Sequence, residues 1–558
     1  MDLFSELIAA LRLRDYTDKE FNALKRDLCT KYGVSRIPMN MEVLFTAPAS
    51  EFEFCKTKLM SKPVRSAAGV APVAIMTRPE PCPHGKCTMC PGGPNSYFGS
   101  VPQSYTGKEP ATMRGIRNNY DSYMQVFNRL EQYAIMGHNF EKVELILMGG
   151  TFPAMPADYQ EEFVRYAFKA MNDFSTMFFE NGEFLYLKFK EFFELPVETV
   201  GNKDREDRVK AKLMLMRGDC VLEEEQKINE TSQIRCVALC VETKPDWGFA
   251  LHGQELLRFG CTRVELGIQS VYDDVVAHIH RGHTIADTIQ SIRELKDLGF
   301  KITGHYMPGL PLTSRERDIA GLQELFSNPD FRPDMLKVYP CMVSRGTALY
   351  ADFVSGKFVP IDAAEAALRI AELKKIIPEY CRIMRIQRDV PTKQWVAGVE
   401  MTNFRQYFME NFNVQCRCIR CREPGKTVIS WDKVVVKVQE YSGSKGAEFF
   451  ISAEDTEHDV IIGFARLRFP FESLRPEITL TSGILRELHV YGTATGIGDA
   501  GGVQHRGWGQ KLMKKAEEIC IAHGKDKIVV ISGVGVREYY RKKLGYVSEG
   551  PYVVKMLK

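Results

Sequence analysis

The stretch CPHGKCTMCPGGP (82–94) decides how this chain of 558 residues is interpreted. It closely follows an apolar run that predicts a β-strand, and it carries thiols at Cys82, Cys87 and Cys90. Three thiolates on one loop can hold three irons of a cubane cluster and leave the fourth iron open to a small ligand. A structural zinc ion normally takes four protein ligands, so a Cys3His zinc site that includes His84 stays open as the alternative. The loop therefore indicates a metal centre at the end of a strand.

Short apolar runs alternate with helical stretches from about residue 73 to residue 340. The runs are VAIMTR (73–78), VELILMGG (143–150), VALCVET (237–243), RVELGIQ (263–269), KITGHYM (301–307) and MLKVYP (335–340). Strands without clean alternation, separated by helices such as TIADTIQSIRELKDLGF (284–300), predict a parallel sheet covered by helices. Six such units are too few for a full eight-stranded barrel. We therefore expect an α/β fold with a partial (β/α)6 barrel and its active site at the carboxyl ends of the strands.

The rest of the chain has a different pattern. Residues 173–232 form a long insertion whose charged stretch, 203–217, predicts a solvated helix or a mobile loop. After about residue 428 the runs VVVKVQEY, DVIIGFARLRF and EITLTSGILRELHVYG predict antiparallel strands. A long helix over 505–523, the strand KIVVISGV, a short helix REYYRKKLG and the strand YVVKML follow. This order predicts a separate α+β domain of about 130 residues.

The composition narrows the class of protein. Apolar residues make up 44% and charged residues 26% of the chain, and 74 Lys and Arg against 71 Asp and Glu leave a net charge of +3. These values are typical of a soluble globular protein, and they exclude a polybasic or acidic-tail protein. The length of 558 residues predicts about three or more domains, or one large domain with smaller ones attached. No run of about 18 uncharged apolar residues occurs, which predicts no membrane span. The first residues lack the features of a secretory signal, so a cytoplasmic protein is expected.

The fifteen cysteines are unevenly spaced. Besides the first loop, Cys416, Cys418 and Cys421 form a second cluster, and the other nine are scattered, several of them inside apolar runs. In a reducing compartment scattered cysteines usually pack as small hydrophobic residues, whereas tight clusters indicate metal binding. The spacing therefore suggests a second metal centre.

The first cysteine loop resembles that of the radical S-adenosylmethionine enzymes, although its first gap is four residues rather than the more usual three. A second matching element is Gly149-Gly150-Thr151 at the end of the second predicted strand. In that superfamily a glycine pair there exposes backbone groups to the methionine ammonium of the cofactor. In such barrels, polar residues at the ends of other strands point at the ligand. In this chain the alternative is that these residues only form a buried structural network. These are Glu242, Glu265 and Gln269. The resemblance implies a 4Fe-4S cluster on the three thiols, and S-adenosyl-L-methionine bound by Gly149, Gly150, Thr151, Glu242 and Gln269.

The segment QHRGWGQKLM (504–513) places glycines directly before a predicted helix, where backbone N–H groups and the helix dipole favour phosphate. The order of strand, glycine loop, helix, strand and tyrosine-rich helix is similar to that of the GNAT acetyltransferases. The resemblance implies that the backbone of the preceding strand binds the pantetheine arm of acetyl-CoA and that Tyr540 lies near the thioester. A core tyrosine is the alternative for Tyr540. The implied acetyl-CoA residues are Glu487, Leu488, His489, Val490, Gly507, Trp508, Gly509, Gln510 and Tyr540.

Both domains together resemble the family of Elongator catalytic subunits, in its stand-alone archaeal or bacterial form, over roughly residues 62–558. The further motifs are KPVRSAAGVAPVAIM, QSYTGKEPATMR, RGHT and VISGVGVREYYRKKLGY. The resemblance implies an acyltransferase that builds 5-carboxymethyluridine at the wobble uridine, position 34, of tRNA from acetyl-CoA, and that works without other Elongator subunits. It also implies catalytic roles for Lys142, which would contact acetyl-CoA from the barrel side, and for Tyr540.

The segment CRCIRCRE (416–423) looks like the zinc motif of the same family. The resemblance implies zinc on Cys416, Cys418 and Cys421, with the fourth ligand open. The expected division is an N-terminal helical extension at 1–61 that is a candidate for tRNA binding, the barrel at 62–380, a basic zinc-binding linker at 381–427 and the acetyltransferase-like domain at 428–558.

Two other classes of protein stay open. In a protein lysine acetyltransferase the barrel would be a scaffold, with Glu487 as the carboxylate base. In a non-catalytic tRNA-binding module the cofactor sites would only hold the fold.

The basic stretch of the linker predicts that its arginines contact tRNA phosphates. We expect Arg417→Glu combined with Arg420→Glu to weaken tRNA binding, because charge reversal removes attraction that does not depend on base sequence. Arg382, Arg385 and Arg388 belong to the same basic stretch. A gel-shift titration at physiological salt measures the effect, and unchanged affinity contradicts the prediction.

Overall fold

The computed structural model of the chain describes residues 2–60, 69–196, 202–425, 427–492 and 507–557. Within these ranges the helices are α1 (Leu3–Leu13), α2 (Asp18–Tyr32), α3 (Asn40–Thr46), α4 (Phe52–Leu59), α5 (Pro110–Arg117), α6 (Ser122–Ile135), α7 (Ala157–Phe178), α8 (Tyr186–Phe192), α9 (Lys203–Arg217), α10 (Leu222–Asn229), α11 (Ala250–Arg258), α12 (Asp273–His278), α13 (Ile285–Asp297), α14 (Arg315–Ser327), α15 (Ala348–Val354), α16 (Ala363–Ile376), α17 (Phe404–Asn411), α18 (Trp508–Ala522) and α19 (Arg537–Leu544). No helix in these ranges is long and apolar enough to cross a membrane.

The strands in the same ranges are β1 (Ala71–Met76), β2 (Gly93–Ser96), β3 (Gly99–Val101), β4 (Lys142–Met148), β5 (Phe179–Glu180), β6 (Glu183–Phe184), β7 (Arg235–Thr243), β8 (Arg263–Gln269), β9 (Lys301–Tyr306), β10 (Met335–Val338), β11 (Arg382–Arg385), β12 (Val434–Gly443), β13 (Gly446–Asp455), β14 (Val460–Phe469), β15 (Ser482–Val490), β16 (Lys527–Val530), β17 (Val547–Glu549) and β18 (Tyr552–Met556).

The six predicted runs form one parallel sheet in the order β1-β4-β7-β8-β9-β10, and this confirms the predicted partial barrel. A seventh strand, β11, pairs with β10 in parallel and lies within the predicted linker. The sequence analysis missed it because four residues with two arginines show no apolar run. All seven carboxyl ends therefore open on the same side of the sheet.

Helix α13 shows how local sequence sets the spacing between two barrel strands. Thr284 and Asp287 form a capping box, with the Thr284 amide 2.7 Å from Asp287 Oδ2 and the Asp287 amide 3.1 Å from Thr284 Oγ1. The helix ends just before Gly299, whose φ of 97° suits glycine. The predicted helix over 284–300 is confirmed, and it returns the chain to the amino end of β9.

The insertion at 173–232 packs against the N-terminal helices and against α6. The Tyr186 ring stacks on Phe52 at 4.1 Å, and Arg205 of α9 pairs with Glu131 of α6 at 2.6 Å. Val209 and Leu213 bury one side of α9. The charged stretch is thus a helix with its own buried contacts.

The second sheet runs in the order β12-β13-β14-β15-β16-β18-β17, antiparallel except for the pair β15-β16, and α18 packs on one face of it. A β-bulge opposite Arg466 and Leu467 makes Arg486 an extra residue of β15. As a result the adjacent side chains of Arg486 and Glu487 both face the barrel, where each forms an ion pair.

The second sheet covers the amino ends of the barrel strands. Arg486 of β15 donates to both carboxylate oxygens of Asp334, just before β10, at 2.7 and 2.6 Å. Arg468 of β14 donates to Asp297, at the end of α13, at 2.7 Å. All four side chains are fully buried. The two domains are therefore joined by charges that have no access to water.

Glu448 of β13 completes this buried ionic network. It accepts hydrogen bonds from Arg468 and Arg486 at 2.8 Å each and lies 3.6 Å from Lys296. On the other side of the interface, Gly533 approaches β7 so closely that a Cβ would lie 2.0 Å from the carbonyl oxygen of Val237. Ionic pairing and close backbone packing together fix the relative position of the two sheets.

We expect Arg486→Met to lower the free energy of unfolding by about 3–5 kcal/mol, because it leaves Asp334 and Glu448 buried without a full set of counter-charges. Arg315→Met is the matched control, because Arg315 is half exposed in its pair with Glu365 and its loss is expected to cost less than about 1 kcal/mol. Urea titration followed by tryptophan fluorescence measures both. Equal midpoints for the two variants would contradict the prediction.

Candidate functional site

The loop after β1 brings the three predicted thiols to the carboxyl edge of the barrel. Cys82 Sγ lies 3.6 Å from Thr151 Oγ1, so this loop and the glycine segment after β4 meet. Cys90 Sγ accepts a hydrogen bond from the Ser104 amide at 3.2 Å. The Arg281 guanidinium lies 3.6 Å from Cys87 Sγ. N–H groups directed at sulfur suit thiolates that hold a metal cluster.

The two cysteine clusters differ in the distances between their sulfur atoms. Among the described residues, two groups of three or more ligating side chains have their ligand atoms within 4.8 Å of one another, and neither group contains a residue of the first loop. A tetrahedral zinc ion with Zn–S bonds of about 2.3 Å requires sulfurs about 3.8 Å apart. The spacing of Cys82, Cys87 and Cys90 therefore fits a larger cluster better than a single ion. His84 Nε2 lies 3.2 Å from Cys87 Sγ but completes no compact site.

The glycine pair after β4 is required by close packing. A Cβ on Gly149, whose φ is 136°, would lie 1.9 Å from Thr77 Oγ1, and Gly150 has a φ of 107°. Gln269 at the end of β8 is a non-glycine residue with a φ of 67°. Such strained backbone is typical of functional sites. Both predicted strand ends therefore present backbone groups to the space beside the thiols.

One cavity of about 780 Å³ runs through the barrel from the thiols to the amino ends of the strands. At the carboxyl end it is lined by the predicted residues Cys82, Cys87, Cys90, Gly150, Thr151, Glu242 and Gln269. At the other end it reaches Glu144, Arg263 and Arg382. Its lining contains ten arginines and lysines against five acids. The cavity thus connects the metal loop to the side of the barrel that the second sheet covers.

A buried polar cluster crosses the middle of this cavity. Glu265 accepts a hydrogen bond from Lys337, and its Oε2 lies 2.9 Å from His305 Nε2. The Glu265 carboxylate raises the pKa of Lys337, which therefore stays charged despite its burial. Glu242 accepts a hydrogen bond from Tyr105 at 2.9 Å. Glu265 thus belongs to a buried structural network, the alternative that the sequence left open.

Three cavity residues were missed in the sequence analysis, namely His305, Lys337 and Arg281. His305 and Lys337 lie inside predicted strands, and their alternation with apolar neighbours was the signal that could have placed them in the lumen. Arg281 belongs to the RGHT motif, but only the folded chain brings it to Cys87.

The second cysteine cluster ties the two sheets together. Cys416, Cys418 and Cys421 have their sulfurs within 4.8 Å of one another, as a single metal ion requires. The Ile419 amide donates to the carbonyl of Cys381 at 3.0 Å, and the Ile461 amide in β14 donates to the carbonyl of Arg422 at 2.7 Å. The cluster is thus anchored to β11 on one side and to β14 on the other.

The sulfurs of this cluster share protons. Hydrogen bonds from Cys416 and Cys418, followed by the charge of Lys374, lower the pKa of Cys421, while hydrogen bonds with Cys418 and Cys421 raise the pKa of Cys416. Lys374 Nζ lies 3.4 Å from Cys421 Sγ. A site that stabilises a thiolate among close sulfurs has the donor chemistry that zinc prefers.

The linker arginines are paired with acids. Arg417 contacts Glu379 at 2.6 Å and Asp459 at 2.8 Å, and Arg420 contacts Glu423 at 2.8 Å. The charges of these two arginines are therefore partly neutralised, whereas the cavity lining, to which Arg420 also belongs, keeps an excess of positive charge.

The predicted acyl-carrier site lies at the other sheet. Strands β15 and β16 pair only from Ser482 to Leu485, while β15 continues to pair with β14 as far as Val490. The two parallel strands therefore separate beside the backbone of residues 487–490. Gly507 caps α18 with a φ of 76°, and residues 504–506 of the predicted loop lie outside the described ranges.

The side chains expected to do chemistry here have contrasting surroundings. Tyr540 is 6% exposed and packs in the core beside Tyr546, and burial raises the pKa of its hydroxyl. The Tyr539 hydroxyl is nearer to the start of α18, 3.2 Å from where a Cβ of Gly509 would lie. Lys142 begins β4, about 23 Å along the strand from Gly149, on the side that faces the second sheet.

Glu487 is held by two cations at the domain interface. Arg466 donates to it at 2.8 Å, and Lys301 lies 3.4 Å away. Lys301 and Arg466 lower the pKa of Glu487 to about 2 against the opposing effect of burial. A carboxylate this acidic is a poor general base near neutral pH.

We expect Gly149→Ala to weaken S-adenosylmethionine binding more than tenfold, because the new methyl group collides with Thr77 and displaces the strand end. Isothermal titration of the reconstituted protein measures the dissociation constant. Thr77→Ala combined with Gly149→Ala removes the colliding hydroxyl, so it is expected to recover part of the affinity. Equal affinity of wild type and Gly149→Ala would contradict this account.

The comparisons with known proteins agree with this architecture. Residues 80–322 match the radical SAM superfamily and 333–412 the Radical_SAM C-terminal domain, while 1–67 match the ELP3 N-terminal domain and 419–546 the acetyltransferase (GNAT) family. The chain is 44% identical over 533 residues to a tRNA uridine(34) acetyltransferase of Methanocaldococcus infernus, which covers 93% of this chain and 92% of the relative. It is 38% identical over 557 residues to human Elongator complex protein 3, over 97% of this chain and 94% of that protein.

A solved structure shows the same fold. The structure of an N-terminally truncated archaeal Elp3 from Methanocaldococcus infernus superposes with a TM-score of 0.71 at 38% identity, covering 88% of this chain and all of that one. Identity of this extent over nearly the whole length confirms the predicted resemblance, and the chain belongs to the Elongator complex protein 3 family, in which a radical SAM domain is joined to a GNAT acetyltransferase domain.

Proposed function

We propose that this chain is a tRNA uridine(34) carboxymethyltransferase that forms 5-carboxymethyluridine from acetyl-CoA. The observation that carries the proposal is the single cavity, because it joins the three thiols of the metal loop to the interface with the acetyltransferase domain. The names of the archaeal relatives, tRNA uridine(34) acetyltransferases, support the same substrate. A reaction that needs both a radical source and an acyl carrier requires such a connection.

The barrel residues would hold the first pair of cofactors. Cys82, Cys87 and Cys90 bind a 4Fe-4S cluster, and the S-adenosyl-L-methionine residues are Gly149, Gly150, Thr151, Glu242 and Gln269. When bound, this pair would supply the radical chemistry that activates the acetyl methyl group. The chain contributes the strained strand ends that orient the cofactor and a cavity that holds the reactants beside the thiols.

The C-terminal domain would hold acetyl-CoA on the open edge of β15. The backbone of Glu487, Leu488, His489 and Val490 faces the gap between β15 and β16, and Gly507, Trp508, Gly509 and Gln510 start α18 where phosphate is favoured. In this proposal Lys142 reaches the thioester from the barrel side and Tyr540 lies behind it. Protein lysine acetylation is not favoured, because Glu487 is neutralised by Arg466 and Lys301 and faces the barrel.

The tRNA would be bound mainly through its backbone. Excess positive charge in the cavity lining suits a polyanion, and the wobble base has to leave the anticodon stack to reach the lumen. Zinc on Cys416, Cys418 and Cys421 would fix the linker between the domains, with its fourth ligand open. We propose a cytoplasmic enzyme that acts without other Elongator subunits.

The deciding experiment is anaerobic reconstitution with iron and sulfide, followed by reductant, S-adenosylmethionine, acetyl-CoA and unmodified tRNA. We expect 5-carboxymethyluridine in the digested tRNA by mass spectrometry, and we expect none with Cys87→Ser, because three thiolates are needed to hold the cluster.

Cys220→Ser is the matched control, since Cys220 is a free cysteine outside the cavity lining. It is expected to retain product formation. If wild type hydrolyses acetyl-CoA but leaves the uridine unmodified, the acetyltransferase half acts alone and the proposal is overturned.

A further inference from the structure

The imidazole of His489 lies where the two halves of the proposed site meet. After the bulge in β15, Leu488 and Val490 pack with α18 and the helix side of the sheet, while Tyr491 packs with the barrel core. Alternation along the strand therefore turns His489 toward the barrel. Its ring packs 4.5 Å from Tyr491 and 5.8 Å from Phe464. The side chain is thus held in one place at the domain interface.

The Nε2 atom of His489 is buried and has no hydrogen-bond partner among the described residues. Buried polar atoms are normally paired, so an orphaned one suggests a water molecule or a ligand. Burial lowers the pKa of His489, so the ring is neutral near pH 7 and can accept a proton. The charged groups that act on the ring are Glu487 and Glu423, which raise its pKa, and Arg382 and Lys301, which lower it.

The position of His489 relates it to both the strand edge and the cavity. It belongs to the segment of β15 that has separated from β16, where the pantetheine arm is proposed to pair. Arg382, one of its charged neighbours, lines the cavity at its amino end. His489 therefore lies beside the open strand edge and beside a residue of the cavity lining.

On this geometry, and resting on the proposed function, we propose a catalytic role for the His489 side chain. It acts as general base and then as general acid in hydrolysis of the thioester, after the acyl group has been joined to the uridine. Nε2 takes a proton from a water molecule as its oxygen bonds to the thioester carbonyl carbon. The carbon–sulfur bond then breaks, and the imidazolium returns the proton to the leaving sulfur of coenzyme A. Water and thioester give carboxylic acid and thiol, the acid then ionises, and no oxidant or reductant is needed.

Three neighbouring side chains are unsuited to this role. Glu487 has a pKa of about 2 and is paired with two cations, and the Tyr491 hydroxyl donates to Glu423 at 3.3 Å. Lys301 forms an ion pair with Glu487. His489 combines a nitrogen that has no partner in the described part of the chain with a ring that is neutral near pH 7.

The test uses the full-length reconstituted enzyme with His489→Gln, which keeps the backbone contacts and a similar volume but cannot carry the proton. We expect coenzyme A release after radical addition to fall by about 10²–10⁴-fold. Transfer RNA that carries a coenzyme A thioester is expected to accumulate and to be detected by mass spectrometry. Imidazole in the buffer is expected to restore release in His489→Ala.

The pH profile has a defined sign. In wild type, release rises with pH through the imidazole pKa, below 6.5, and then levels off, because only the neutral ring accepts a proton. In His489→Gln the remaining rate is expected to rise tenfold per pH unit with hydroxide. His458→Gln is the matched control, since this partly exposed histidine of the same domain pairs with Asp455 outside the cavity lining and is expected to change nothing.

A readout without catalysis tests the contact itself. With ¹³C-labelled histidine and no tRNA or iron–sulfur cluster, the His489 resonance, identified by its loss in His489→Gln, is expected to shift when acetyl-CoA is added. The assignment is overturned if the His489 resonance does not shift. It is also overturned if His489→Gln releases coenzyme A at the wild-type rate and no thioester accumulates on tRNA. The wild-type reaction alone decides the proposed function: if it yields no carboxymethyluridine, both proposals fail. If wild type forms the product and His489→Gln releases coenzyme A at the normal rate, only the role of His489 is removed.

Discussion

The buried ionic network between the two sheets is the constraint on which the rest of the structure depends. Arg486 and Arg468 of the second sheet pair with Asp334 and Asp297 of the barrel. Glu448 accepts hydrogen bonds from both arginines and balances the charge of Lys296. Because each group is removed from water, every charge needs its partner, and a shift of one domain would leave several charges unpaired. The network thus acts on geometry more than on net stability. It sets the open edge of β15 against the amino end of the barrel cavity.

A bulge in β15 makes that arrangement useful for chemistry. One extra residue turns both Arg486 and Glu487 toward the barrel, so this strand supplies the interface with a cation and an anion in succession. Beyond the bulge the same strand separates from β16 and presents His489 to the barrel side. A sheet of acetyltransferase type is thereby joined to a cavity that leads to the metal loop.

The two cysteine clusters show how spacing decides chemistry for a single residue type. Cys416, Cys418 and Cys421 converge within 4.8 Å, which suits one ion, whereas the thiols after β1 stand further apart and receive N–H groups from Ser104 and Arg281. The first arrangement ties the linker to both sheets, and the second opens into the cavity. One cluster therefore organises the domains, and the other faces the reaction space.

Much of this protein was determined by its sequence. The six barrel strands, the helix over 284–300, the cysteine loop and the strand-end glycines were predictable, because apolar periodicity, capping residues and short-range ligand spacing are local properties of the chain. Strand β11 was not assigned, since a short basic run carries no apolar signal. The lumen residues Lys337 and His305 were not assigned either, because alternation within a strand gives the face of a side chain but not the residues that it meets there. The pairing of Arg417, the acidity of Glu487 and the absence of a partner for His489 Nε2 among the described residues depend on groups that are distant in the sequence or lie on another strand. Only the tertiary structure decided them, because electrostatic and steric environments are set by contacts that long-range packing creates.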